Sequence, residues 1–200
     1  MRDRTLTFAL LVTAGLCTAC ALTTMRSIQR APDFRSATMR HVLVIGDFEN
    51  QSIRKSFEEE FVRQWSRYGV QAVSSLEVLP SSTPITKDLV APIAKARGFD
   101  TVLVARVLER KRIAPGEPAV PTVEPPTQGE LQDSNSIWQV LLSPPVQTSE
   151  FLLVTVETNL YDVASGRRLW SGWSATEEMK KIPELIPPFV KLILKHLYRP

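Results

Sequence analysis

Histidine, glycine and cysteine are scarce in this chain, and each scarcity closes a class of function. Only His41 and His196 are present, far apart in sequence, so no His-x-x-His or HExxH metal pair can form and no metal site is expected. The eight glycines never fall within five positions of one another, which removes GxGxxG, GxxxxGK and GxSxG, and with them the nucleotide-binding and hydrolase-elbow readings. No cofactor is expected. Two cysteines, Cys17 and Cys20, lie three residues apart near the N-terminus and cannot staple a fold. Heptads are absent. No apolar run reaches the roughly 18 to 20 residues of a spanning helix, since Thr5 to Ala19 and Phe189 to Leu197 are too short or contain lysine. With 44% apolar and 22% charged residues, the 200-residue chain has the composition of one globular domain with appendages.

The N-terminus is an address. Arg2 and Arg4 precede an apolar stretch, Thr5 to Ala19, which ends in the small-residue boundary Cys17-Thr18-Ala19-Cys20. Residues 1–19 are read as an export signal, and the segment resembles a bacterial lipoprotein signal. That resemblance implies cleavage before Cys20, which is then diacylated at sulfur and becomes the mature first residue. Ala19 is the small residue required before the cut, whereas Cys17 follows bulky Leu16 and stands where such signals usually carry Leu. A plain secretory signal would instead leave a free thiol exposed, which is a liability in an oxidising compartment. Acyl chains, with each buried methylene contributing about 0.8 kcal/mol, would hold the protein on a membrane with no spanning helix. Ala21, rather than Asp, resembles lipoproteins sent on to the outer membrane and facing the periplasm. Losing Arg2, Asp3 and Arg4 lowers the net charge from +3 to +2, too little to argue for nucleic acid. Residues 20–40 show no sustained period and are read as a tether.

A single α/β domain is expected over residues 41–200. His41 to Phe48 is an apolar run suited to a buried strand. Ile53, Phe57, Phe61 and Trp65 recur every four residues on a helix closed at Gly69, with Lys55, Glu59 and Arg63 on the opposite face. Val70 to Val73 is extended, and Leu76 to Thr86 reads as a loop. Asp88, as N-cap, opens a shorter helix closed by Gly98, and Phe99 to Val107 is a third strand. Residues 114–148 hold seven of the 15 prolines and form an insert. Glu150 to Tyr161 and Arg168 to Ala175 pair as a hairpin through a bulged turn at Gly166. Pro187-Pro188 opens a last helix whose apolar face carries Phe189, Val190, Ile193, Leu194 and Leu197. The expected fold is therefore β-α-β-α-β followed by a β-hairpin and a C-terminal helix, in a mixed sheet of about five strands.

Three phrases, Val42 to Asn50, Gly98 to Val104, and Leu160-Tyr161-Asp162 through Gly166 to Leu169-Trp170, occur in an order that looks like a known group. That group holds the N-terminal domain of TolB, the periplasmic domain of the curli-secretion lipoprotein and the outer-membrane lipoprotein activator of penicillin-binding proteins. The resemblance covers about His41 to Leu197, interrupted by the insert. It implies a lipid-anchored periplasmic domain that acts by binding an envelope protein or peptidoglycan and carries no catalytic residues. Ala105-Arg106 departs from the group, whose members often place Gly after the third strand.

Several residues admit two readings. Asp47, Glu49 and Asp100 stand near strand ends, where α/β ligand sites gather, and would serve the alternative of a small-molecule binder or hydrolase; helix capping is the simpler account. A triad drawn from Ser74, His41 and Asp100 has nothing to aim its members at one another. Arg110-Lys111-Arg112 could meet phosphate or lipid headgroups, but reads more simply as a solvated strand end. Trp138, with Ile137 and Leu141 in the insert, either folds back or meets a partner, and these three are the candidate partner-binding residues. Trp65, Trp170 and Trp173 are expected in the core or on the sheet, and the last helix over the sheet rather than on a membrane.

Overall fold

The computed structural model describes residues 23–80, 85–112, 122, 153–177 and 182–199. The signal segment 1–19, Cys20, the candidate residues Ile137, Trp138 and Leu141, and the insert 114–148 apart from Thr122 lie outside the described residues. Within them, one six-stranded mixed sheet carries helices on both faces.

The strands are β1 (Thr23–Arg30), β2 (His41–Asp47), β3 (Gln71–Ser74), β4 (Thr101–Lys111), β5 (Leu153–Asp162) and β6 (Arg168–Glu177), in the order β1-β6-β5-β4-β2-β3. The helices are α1 (Gln51–Trp65), α2 (Ser75–Val78), α3 (Lys87–Ala96) and α4 (Ile182–Leu197). Strand β2 runs parallel to β3 and β4, whereas β5, β6 and β1 join antiparallel. The α/β alternation and the hairpin are as the patterning predicts.

One face packs α1 and α4. Val42, Val44, Leu103, Leu160 and Trp170 meet Phe57, Phe61 and Trp65 from α1 and Phe189, Ile193 and Leu197 from α4. On the other face Leu43, Ile45, Val102 and Val104 pack with Val90 and Ala94 of α3 and with Phe99. Trp173 is buried as well, so Trp65, Trp170 and Trp173 are all interior residues. Asn50 caps α1, its side-chain oxygen accepting from the backbone N–H of Ser52 at 2.9 Å and Ile53 at 3.2 Å. Gly69 closes the helix at φ 69°, the left-handed conformation that costs glycine nothing. Lys55 and Glu59 form an ion pair at 3.8 Å, but both side chains are more than 60% exposed, so it adds little. Arg63 pairs with Glu60 rather than with Glu59.

Four expectations need correction. Part of the tether is the sixth strand: Thr23 to Arg30 pairs along β6, and Phe34 and Met39 are buried in the core. A bulge between Met25 and Ser27 breaks the alternation, so the segment shows no period although it lies in a sheet. Arg30 also donates from Nη2 to the carbonyls of His196 and Leu197 at 2.9 and 3.0 Å, satisfying the C-terminal end of α4. Next, Leu76 to Val78, the start of the expected loop Leu76 to Thr86, belongs to a turn of helix, Ser75–Val78, capped by Ser74. The third concerns α3, which starts at Lys87 with Thr86 as N-cap, so Asp88 lies in its first turn. Finally, α4 begins at Ile182, and Pro187 and Pro188 lie inside it. Both prolines are exposed, as are Pro183 and Glu184, whose carbonyls lose the i+4 donor, and Leu185 and Ile186 extend the buried stripe. Burying Leu185, Ile186, Phe189 and Val190 around them contributes about 1.5–3 kcal/mol each, enough to offset two proline costs of about 3 kcal/mol each.

Candidate functional site

The acidic strand ends come first. Asp100 ends the loop before β4, and its Oδ2 accepts from the backbone N–H groups of Arg40 at 2.7 Å and His41 at 2.8 Å. Thr101 donates its hydroxyl to Oδ1 at 3.0 Å. This carboxylate is occupied in holding the entry of β2. The His41 ring lies 3.1 Å from the Gly98 carbonyl through Nδ1 and packs against Phe99. Ser74 donates to Glu58 instead, so Ser74, His41 and Asp100 do not face one another as a triad.

Asp47 stands at the opposite end of β2, beside Arg106, its register partner on β4. Burial pushes its pKa above the ordinary carboxylate value, against the pull of Arg106 and then Arg54. The folded state thus holds a proton that the unfolded chain has released, and stability falls as pH rises from the ordinary aspartate pKa through the raised one. Asp47→Asn is therefore expected to raise the urea midpoint at pH 7, with the gain fading below the ordinary aspartate range. An equal gain at both ends of the titration would contradict that cause.

A carboxylate that the sequence reading passed over is the most heavily bonded group described. Glu58 is fully buried on α1. Its Oε1 accepts from the Gly46 N–H at 2.9 Å, Arg54 Nε at 3.0 Å and the Ser75 hydroxyl at 2.6 Å. Its Oε2 accepts from the Ser74 hydroxyl at 2.5 Å and the Leu76 N–H at 3.2 Å. Arg54 Nη2 in turn donates to the Ser75 hydroxyl at 2.6 Å. A carboxylate offers about four lone-pair sites, so none is left for a substrate. The group joins the end of β2, α1, the end of β3 and the start of α2. The available signal is the helical wheel: Arg54 and Glu58, four apart, border the stripe of Phe57, Phe61 and Trp65.

A second ion pair, buried on its Glu157 side, lies on the opposite face of the sheet. Arg106 Nε donates to Glu157 at 3.2 Å, and Trp173 Nε1 donates to the same carboxylate at 3.2 Å. Nearby on β5, Thr155 Oγ1 and Asn159 Oδ1 are buried without a hydrogen-bond partner. Burial first, then the neighbouring Glu157 charge, pushes the Tyr161 hydroxyl pKa upward, so it stays protonated.

The open concavity is apolar. It is a shallow groove between the first turns of α1 and α4 and the ends of β4 and β5, lined by Ile53, Phe57, Val107, Val154, Leu185 and Phe189. Phe48 meets Phe57 edge-on at 4.9 Å between ring centres on the same wall. Arg110 is the one charged residue among the described lining. Arg110 and Lys111 extend beyond the last β2–β4 pair, Asp47 with Arg106, and pair with Val154 and Leu153 of β5.

No protein-family model matches the chain, and no curated protein matches it by sequence. Among solved structures the fold resembles that of PelC. The PelC dodecamer from Paraburkholderia phytofirmans superposes with a TM-score of 0.50 at 14% identity, over 90% of this chain and 99% of that one. The lipoprotein GNA1162 from Neisseria meningitidis gives a TM-score of 0.43 at 14% identity, over 79% and 97%. At such identity the likeness to PelC is one of fold. Among the described residues no three His, Cys, Asp or Glu side chains gather to hold a metal, and no helix is long and apolar enough to cross a membrane.

Proposed function

We propose that the chain is a cell-envelope lipoprotein: acylated at Cys20, held at the periplasmic face of the outer membrane, and acting without catalysis by binding an envelope protein or peptidoglycan. The observation that carries this reading is the join between its two halves. The lipoprotein-like boundary Ala19-Cys20 stands three residues before Thr23, where the sheet begins, so an acylated Cys20 would sit directly against the folded domain. The PelC-like fold is consistent with it, and kinship with the TolB group is the finer placement we propose. The non-catalytic part is supported by the capping role of Asp100 and the saturated bonding of Glu58.

Cys20→Ser is expected to abolish incorporation of labelled fatty acid and to leave an unprocessed precursor, read by gel mobility and by mass spectrometry of the N-terminal peptide. Undiminished labelling of that variant would remove the anchor from the proposal. For the non-catalytic part, a thermal-shift screen of metabolites is expected to return no ligand. A hit lost in both Asp47→Ala and Asp100→Ala, with each variant still folded, would favour the small-molecule alternative.

A further inference from the structure

One row of sheet neighbours crosses the end of the domain. Thr23 pairs with Thr176, Thr176 with Val154, and Val154 with Arg110. The Thr23 and Thr176 hydroxyls are 3.0 Å apart, and Thr176, Val154 and Arg110 all line the apolar groove. Thr23 follows Cys20 by three residue steps, a reach of at most about 11 Å. The groove therefore opens at the end of the sheet where the chain would leave the bilayer, an orientation that rests on the anchor proposed above.

We propose that this groove admits one acyl chain of a bilayer phospholipid, whose phosphate meets Arg110. The described lining is apolar apart from Arg110 and the Thr176 hydroxyl, the surface that a hydrocarbon chain beneath a phosphate requires. A guanidinium presents a planar fork that matches phosphate oxygens. The row distinguishes a bilayer lipid from the acyl groups on Cys20. Arg110 stands three strand spacings from Thr23, roughly 14 Å across the sheet, and a phospholipid brings its own phosphate to that point whereas a Cys20 acyl group brings none. The domain then docks with this end against the bilayer and turns the hairpin at residues 162–167 toward the periplasm.

The test uses the full-length protein in mixed phosphatidylethanolamine and phosphatidylglycerol vesicles that contain a phospholipid with a diazirine midway along one acyl chain. After irradiation, digestion and mass spectrometry, adducts are expected on residues 153–156 and 182–189, in the wild type and in Cys20→Ser alike. Arg110→Glu is expected to lower adduct yield from the phosphatidylglycerol probe about tenfold with an unchanged melting temperature. Val154→Trp, which narrows the groove while keeping it apolar, is expected to remove the adducts. Vesicle labelling that misses the groove overturns the proposal, as does equal labelling of Arg110→Glu. Groove adducts seen only in Cys20→Ser overturn it too, because the chain's own acyl group would then be the occupant. The N-terminal peptide in the same digest reports the anchor separately. A lipidated Cys20 without groove adducts sinks the groove alone, and groove adducts with an unmodified Cys20 sink the anchor alone.

Discussion

Glu58→Ala is expected to lower the unfolding free energy by about 3–5 kcal/mol, the usual cost of breaking a buried ion pair from one side. The substitution leaves Arg54 charged and buried, and it strips an acceptor from the Gly46 and Leu76 amides and from the Ser74 and Ser75 hydroxyls. A domain of this size has about 5–15 kcal/mol in total, so the loss shows directly in urea or thermal unfolding. Glu58→Gln keeps the shape but turns an NH2 toward groups that are themselves donors, and is expected to cost less than alanine but still more than 1 kcal/mol. Removing the stranded cation as well, in Arg54→Met with Glu58→Leu, is expected to recover part of the loss. If Glu58→Ala unfolds within 1 kcal/mol of the wild type, the carboxylate does not join these four elements.

The second large effect is expected at Gly172. Its backbone is extended, so the constraint is space rather than conformation. A Cβ there would stand 2.3 Å from Trp170 Cη2 and 2.8 Å from Met25 Cε. The methionine end can swing aside, but the Trp170 indole is 1% exposed and held among Leu160, Val190 and their neighbours. Gly172→Val is expected to cost about 3 kcal/mol, the upper end for forcing atoms into a packed core, and to disturb the near-ultraviolet signal of the indole. Because the clash is with one ring, Gly172→Ala combined with Trp170→Leu should cost less than the sum of the single changes. Additive costs would place the strain elsewhere.

Legibility in the sequence followed burial. The stretches with a strong apolar signal, the run His41 to Phe48, the Phe57-Phe61-Trp65 stripe and the two hairpin strands, lie where that signal places them, because their side chains are buried under α1 and α4 on one face of the sheet or under α3 on the other. Gly69 and Gly98, expected to close helices, and Gly166, expected in the hairpin turn, all have positive φ. The misreadings occur where another force outweighs the local pattern. Strand β1 is polar, bulged at Arg26 and held by an edge ladder, so nothing periodic marks it. Pro187 and Pro188 signal a helix start, but the apolar contacts of Leu185 and Ile186 carry α4 past them. The site was the least legible part. Asp100 was visible as an acid at a strand end, yet its backbone partners lie about sixty residues away in sequence. The groove is assembled from α1, β4, β5, β6 and α4, a union that only the sheet order reveals.

That β1 pairs with β6 also bears on how the chain matures. The Thr23–Thr176 contact joins positions 153 residues apart, so β1 has no partner during synthesis until the hairpin behind it has followed. Ordering such a distant pairing is slow, because loop entropy is lost before any contact repays it. Until then β6 presents an open ladder, and the nascent domain is expected to depend on holdase chaperones during that interval.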